Sequence, residues 1–542
     1  MVLTATITNI TDGSNKIMSP EYHLMYIDVI KEVNKIPTAQ LILLDGNAAK
    51  QEFKISNSIF FAPGQEIQIE LRVDNNDGEL KKDDSLSVED DPKIFKGIIV
   101  RHRIKADKNG SCLTLDLKDT AFKLTTQRKS RVFQKQTDID IIKSILDANK
   151  IDYQIQTSET ETLYQHQELV QYYCTDWDFI LSRADANGQW VLFKNGQLII
   201  QPINLQEQQA NNTFNYGISS IYDFEMELDR RQEYNSIEGQ AWDIVGQKLL
   251  EESATNPDCT LLNPVPIKEK ELQAWVKAKK SKSEFSKVKG YIKINGDSRI
   301  KLGDLIELKG IGARFNGGKI VTGVRHQVSE NGWLTDVQFG LSADWFSQRN
   351  DIVDTPAAGL VPAINGLHIG IVQEGKEADP EGHYRIKVWV PAFGEKKEAI
   401  VWARWSSPYA GKERGMFFKP EKDDEVVLGF FNDDPRQAVI LGSMYSKANP
   451  PNEVFVDNNS EDNIQGIVTK DGNKILLVDS ADPDFGNILD NLIKLSEEGI
   501  EINNKFDDNS IELNAQGIEI DTKQEVNIKT KSKGFNANKL QA

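Results

Sequence analysis

Ile493-Lys494-Leu495-Ser496-Glu497-Glu498-Gly499-Ile500-Glu501-Ile502-Asn503 returns 18 residues later as Ile511-Glu512-Leu513-Asn514-Ala515-Gln516-Gly517-Ile518-Glu519-Ile520-Asp521. Each copy reads as two short alternating strands around a Gly turn, and Val526-Asn527-Ile528 adds a further strand. A fixed repeat of short strands marks a β-solenoid or β-prism. The apolar rows are only two residues deep per strand, so one chain alone leaves a flat apolar face in water. Each Ile or Leu fully buried is worth about 1.5–3 kcal/mol, which makes several such rows a strong drive to associate. Winding with identical chains is the economical solution, and docking an edge strand on a barrel of the same chain is the alternative. The core expected of such an assembly is Ile493, Leu495, Ile500, Ile502, Ile511, Leu513, Ile518, Ile520, Val526 and Ile528.

N-terminal to the repeat, Ala448-Asn449-Pro450-Pro451-Asn452 reads as a linker, and so does Asp354-Thr355-Pro356-Ala357-Ala358-Gly359-Leu360-Val361-Pro362. Between them lies a compact segment of short strands. The larger part before Asp354 alternates apolar and polar residues over 67–73, 113–117, 319–324 and 333–339, again the pattern of half-buried strands. Strands broken by Gly, Asn and Asp turns predict β-barrels or sandwiches. Helical signals are few. Ile141, Ile142, Ile145 and Leu146 share a helical face, with Thr137 or Asp138 available as cap. Thr175-Asp176-Trp177-Asp178 opens a second helix that Asn187-Gly188 ends. A third, about 268–287, carries Leu272, Trp275 and Val276 on one side. Its lysine run, Lys277, Lys279, Lys280 and Lys282, is expected to be a solvated face. The acidic stretch 83–91 reads as a hairpin tip and lacks calcium-loop spacing.

At 542 residues the chain has room for roughly three or four domains. Its 82 Asp and Glu against 64 Lys and Arg give a formal charge of -18, which disfavours general nucleic-acid binding and docking on anionic lipid. No run of about 18 apolar residues predicts a membrane span, and the start, Met1 to Thr6, lacks the pattern of a secretory signal. Cys112, Cys174 and Cys259 are scattered singly and read as isolated buried thiols. The six histidines form no metal-ligand spacing, Arg325-His326 reads as a polar strand end, and no nucleophile elbow, P-loop or dinucleotide fingerprint is present. Neither an enzyme nor a cofactor or metal is expected.

The central segment is the most specific. It runs Asp379-Pro380-Glu381-Gly382-His383-Tyr384-Arg385, Val401-Trp402-Ala403-Arg404-Trp405, Pro408-Tyr409-Ala410-Gly411-Lys412, Gly415-Met416-Phe417-Phe418-Lys419-Pro420-Glu421, then Asp433-Asp434-Pro435-Arg436 to Leu441-Gly442-Ser443-Met444-Tyr445. In this order it closely resembles the small OB-fold domain of the VgrG family, the spike proteins of type VI secretion and related contractile injection systems. Asp176-Trp177-Asp178-Phe179-Ile180-Leu181 and Gly312-Ala313-Arg314-Phe315 are similar to the family's hub. Where the family usually has Gly after Pro-Glu, this chain has Lys422-Asp423-Asp424, and Asp tolerates a left-handed turn better than most residues.

The resemblance implies a mainly β fold. Phage tail hub-like domains, two barrel-like domains with helical insertions, would occupy 1–350. A linker at 351–364, an OB-fold at 365–447 and a second linker at 448–462 would follow. A triple-stranded β-helix needle formed by a trimer would take 463–542. The ten apolar residues of the repeat would be the trimer's needle core. The implied function is a homotrimeric spike joining the inner tube and baseplate to a piercing needle that helps deliver effectors across a target envelope. Partners implied are the chain itself, inner tube and baseplate proteins, effector cargo and a PAAR-repeat tip protein, with the target membrane met only on firing. The platform for the tip protein would be Phe535, Asn538, Lys539, Leu540, Gln541 and Ala542. The protein would be cytoplasmic during assembly, then part of a released or fired particle. The spacing from Asp433-Asp434-Pro435-Arg436 to Leu441-Gly442-Ser443-Met444-Tyr445 and the short needle look more like an extracellular phage-tail-like particle than a type VI spike, and no room is expected for an appended toxin. Two rivals stand beside this reading. One is an OB-fold module that binds oligosaccharides or nucleic acid through Trp402, Trp405 and Tyr409. The other is a spike-borne cell-wall hydrolase.

Overall fold

The computed structural model describes residues 2–74, 93–108, 110–156, 164–194, 196–202, 209–252, 256–373, 378–456, 463–479, 491–496, 499–504 and 509–522. The acidic stretch 83–91 lies outside them. Strands dominate, and the chain divides into two units, Met1–Asp354 and Thr355–Ala542.

The first unit is built around one thirteen-stranded sheet. Strand Leu24–Glu32 is its seam, pairing on one side with Thr38–Leu44 and on the other with Gly317–Ser329. Each half has its own apolar core. Ile27, Leu41, Ile67, Leu113 and Leu115 belong to one, and Leu192, Ile292, Ile306, Val324 and Val337 to the other. All four alternating stretches lie within strands Glu66–Asp74, Gly110–Lys118, Gly317–Ser329 and Gly332–Phe339. Period-2 burial explains them: Leu113, Leu115 and Leu117 are buried in one row.

Helices α1 (Asp138–Ala148) and α2 (Asp176–Ala186) pack on a small sheet made by Gln189–Lys194, Gln197–Pro202 and Tyr153–Ile155, around Ile141, Trp177, Ile180, Val191 and Ile200. Both begin with a threonine cap. Thr137 accepts from the amide of Asp140 at 3.2 Å and Thr175 from that of Asp178 at 3.1 Å. Gly188, at φ +66°, ends α2. Helix α3 (Glu269–Ser286) lies on strand Ile237–Asp243 so closely that a Cβ on Gly239 would stand 2.6 Å from Val276 and 2.9 Å from Leu272.

Three expectations need correction here. The lysine run of α3 is not a solvated face. Lys282 Nζ lies 2.5 Å from Asp185 and Lys280 Nζ 2.6 Å from the Tyr234 carbonyl, while Lys279 stands over the rings of Tyr234 and Trp345. The helix is wedged between elements on both sides, so only Lys277 is left exposed. His326 is no strand end. Its strand runs on to Ser329, and its ring is buried with Nδ1 at 3.0 Å from Thr335 Oγ1. Burial, then the nearby Lys31 charge, pushes its pKa down to about 3. Of the three free cysteines only Cys174 is buried, because the other two lie at half-covered strand positions.

In the second unit, His368–Val372, Ile386–Trp389, Ile400–Trp405, Ala438–Ser443 and Glu425–Phe430 close into a five-stranded barrel. Val388, Val390, Ala403, Val426, Leu428 and Ile440 fill it. The Asp379–Arg385 turn is pinned by an ion pair of 2.7 Å, and Asp379 also accepts from the amides of Glu381, His383 and Arg385. Asp423 adopts φ +70°, the left-handed conformation expected where the family has Gly. Beyond the barrel, six strands form a separate sheet.

Candidate assembly surface

The six strands are Asn463–Val468, Lys474–Asp479, Asn491–Ser496, Gly499–Asn504, Asn509–Asn514 and Gly517–Asp521. Neighbours in this order pair, antiparallel except for the second and third, which run parallel. Both copies of the repeat appear as hairpins, third with fourth strand and fifth with sixth. Gly517 takes φ +143° at the second turn, a conformation that side chains resist.

The register lines up isoleucine on every strand. Ile467 pairs with Ile475, Ile475 with Ile493, Ile493 with Ile502, Ile502 with Ile511, and Ile511 with Ile520. A second row two residues along contains Leu477, Leu495, Ile500, Leu513 and Ile518 at matching register positions. The alternate positions carry Glu501, Glu512 and Glu519 directly opposite one another. Three like charges in register are tolerated only on a face that water reaches. The two apolar rows form a double stripe on one face, about 24 Å across at the usual strand spacing, and over the last three strands the other face carries the glutamates.

That stripe is uncovered in the single chain. Ile467, Ile475, Ile493, Ile502, Ile511 and Ile520 are each 36–46% exposed, and Ile518 is 70% exposed. By contrast Leu476, on the opposite side of its strand, is fully buried under Val454, Phe455, Ile464 and Val468. A contiguous apolar row of this length is rare on a monomer. Covering the remaining surface of each isoleucine is worth about 1 kcal/mol, so the row together supplies several kcal/mol per protomer. Chemically, the surface can only adhere. Among the described residues no group of three or more His, Cys, Asp or Glu could hold a metal, and no helix is long and apolar enough to cross a membrane.

Of the ten residues expected in the apolar core, eight fall on the stripe by register. Val526 and Ile528 lie outside the described residues, as do Phe535, Asn538, Lys539, Leu540, Gln541 and Ala542 of the expected tip platform. Three stripe residues escaped the sequence reading, Ile467, Ile475 and, by register, Leu477. Their strands alternate as the repeat does, but the parallel step between Lys474–Asp479 and Asn491–Ser496 breaks the 18-residue period that made the others visible.

The barrel aromatics do not make a common binding face. Trp405 packs toward the barrel core and edge-on to Phe417 at 5.1 Å, whereas Trp402, three positions earlier, points to the other side beneath the Lys387 ammonium. Tyr409 is exposed beside Arg414.

Residues 2–263 and 258–330 match the family model of the Alg8 N-terminal domain, and residues 368–445 match the type VI secretion system/phage-baseplate injector OB domain. The chain is 32% identical over 95 residues to the actin cross-linking toxin VgrG1 of Vibrio cholerae, covering 17% of this chain and 9% of that protein. It is 22% identical over 412 residues to the type VI secretion system spike protein VgrG1b of Pseudomonas aeruginosa, covering 68% of this chain and 54% of that one. It thus spans about half the length of VgrG1b and under a tenth of the toxin. A tail protein from Neisseria meningitidis aligns over 64% of this chain and 98% of its own at 12% identity, with a TM-score of 0.45. With one family model matching more than half of its length and the injector model matching its barrel, the chain belongs to the Alg8 N-terminal domain family and is a VgrG-type spike protein of contractile injection systems.

Proposed function

We propose that three copies of this chain bring their isoleucine stripes together and wind into a needle, the piercing part of the spike. The observation that carries this reading is the unbroken register row from Ile467 to Ile520, exposed on one face of the sheet. Three such faces turned inward form a closed apolar axis, and the glutamate rows then face water. The barrel serves as the OB-type base of the needle and the first unit as the hub that meets the inner tube and baseplate. The assembled spike carries a PAAR-repeat tip protein and helps deliver effectors across a target envelope; these partners rest on the family resemblance. The protein works mechanically and not as an enzyme. An oligosaccharide- or nucleic-acid-binding role draws no support from Trp402 and Trp405, which face opposite ways.

The test is the pair Ile502→Asp and Ile520→Asp, which puts carboxylates into the packed axis, where unpaired ionised groups are very costly. Sedimentation velocity should find trimers of the unaltered chain and monomers of the double variant. A double variant that sediments as the unaltered chain does contradicts assembly through this face.

A further inference from the structure

Lys31 stands where an apolar side chain belongs. Along strand Leu24–Glu32 the inward positions are Ile27 and Val29, both fully buried, then Lys31, and Val33 just past the strand is buried as well. The residue opposite Lys31 in register is the buried Val324. Among the described residues its ammonium has no hydrogen-bond or ion-pair partner. Its pKa is pushed down to about 8, by burial first and then by the charge of Lys301, with Asp119 acting the other way.

Two adjoining hollows of about 20 and 220 Å³ meet at this point and share Lys31, Lys93 and Phe193 in their walls. Lys194 and Lys301 line the smaller one, and Lys96 and Asp119 the larger. Five lysines and one aspartate thus line the two hollows, in a chain whose acids outnumber its bases 82 to 64. Some of this charge is answered nearby. Lys96 Nζ lies 3.2 Å from Glu66, and Asp304 sits within reach of the Lys194 and Lys301 charges. Asp119 accepts from the amide of Ala121 at 2.9 Å, and its charge also bears on Lys31. Even so, lysines outnumber carboxylates around the two hollows, and the Lys301 charge still bears on the Lys31 ammonium. An anion between them would remove their repulsion, and a doubly charged one would answer both.

We propose that this hollow binds a small dianionic phosphate, either free or as a phosphate monoester. Lysines bind phosphate as point charges, and the larger hollow has room for a small organic group on the ester. The site lies wholly in the first unit and is independent of the apolar stripe.

The experiment melts the full chain near neutral pH in about 20 mM inorganic phosphate or glycerol 3-phosphate, against sodium chloride of equal ionic strength. The unaltered chain should gain several degrees in Tm from at least one of the two, and which one does tells free phosphate from monoester. Lys31→Met, which keeps the stem and removes the buried charge, should lose the gain. Lys301→Gln should reduce it. No gain over chloride in the unaltered chain overturns the proposal, and so does an equal gain in Lys31→Met.

Discussion

Asp138, the first residue of α1, accepts hydrogen bonds from Arg183 at 2.7 and 3.0 Å and from Asn187 at 2.9 Å, and His166 Nε2 stands 3.2 Å away. Burial works to raise its pKa, but these donors, with the Arg183 charge, hold it well below the ordinary carboxylate range. A depressed carboxylate stabilises the fold in full above its unfolded value, and the contribution is lost as pH falls below about 4. Replacing it, Asp138→Ala, leaves Arg183, 17% exposed, with Glu271 at 3.2 Å as its one acidic partner among the described residues. The expected cost is about 3 kcal/mol, read as a lower denaturant midpoint at neutral pH, with the gap to the unaltered chain closing in acid. An equal gap at every pH means the aspartate acts only through packing. Single residues were legible where the signal was local: Thr137 and Thr175 cap because their hydroxyls sit three residues before an acid. His326 and Lys31 were not, because a polar side chain at an inward strand position looks like a strand end until the neighbouring strands are known.

Elements were legible to the extent that their periods were clean. Alternation located the long strands, and the 18-residue repeat disclosed four of the six strands of the C-terminal sheet. The parallel step hid the other two, since nothing local to Lys474–Asp479 says which strand it will join. Helix α3 was placed within one residue at each end, but the partners of its lysines come from segments far away in sequence. Its seat on the sheet is set by the missing side chain of Gly239. Gly239→Ala would bring a methyl within 2.6 Å of Val276 and 2.9 Å of Leu272, against branched side chains that cannot swing clear. Overpacking of this kind costs about 1–3 kcal/mol, so the variant should unfold several degrees earlier, with Trp275 fluorescence on α3 as the probe. An unchanged melting curve would mean α3 can slide on its sheet at no cost.

At the scale of the molecule, two properties in the sequence point the same way. A net charge of -18 keeps separate chains apart in solution, and an uncovered apolar stripe in the last six strands draws them together at one place. The proposed self-association would thereby be confined to a single face of the sheet, with the glutamate row disfavouring contact through the other. The apolar rows of the stripe were legible in the shallow Ile and Leu alternation of the repeat. The hub surfaces that would meet other proteins were not, because no periodic signal marks a surface that another chain will cover. The most direct measurement is the mass of the unaltered full chain in solution by multi-angle light scattering. Assembly through the isoleucine stripe predicts about three times the 61.1 kDa of one chain, and a single stable species at 61.1 kDa would contradict it.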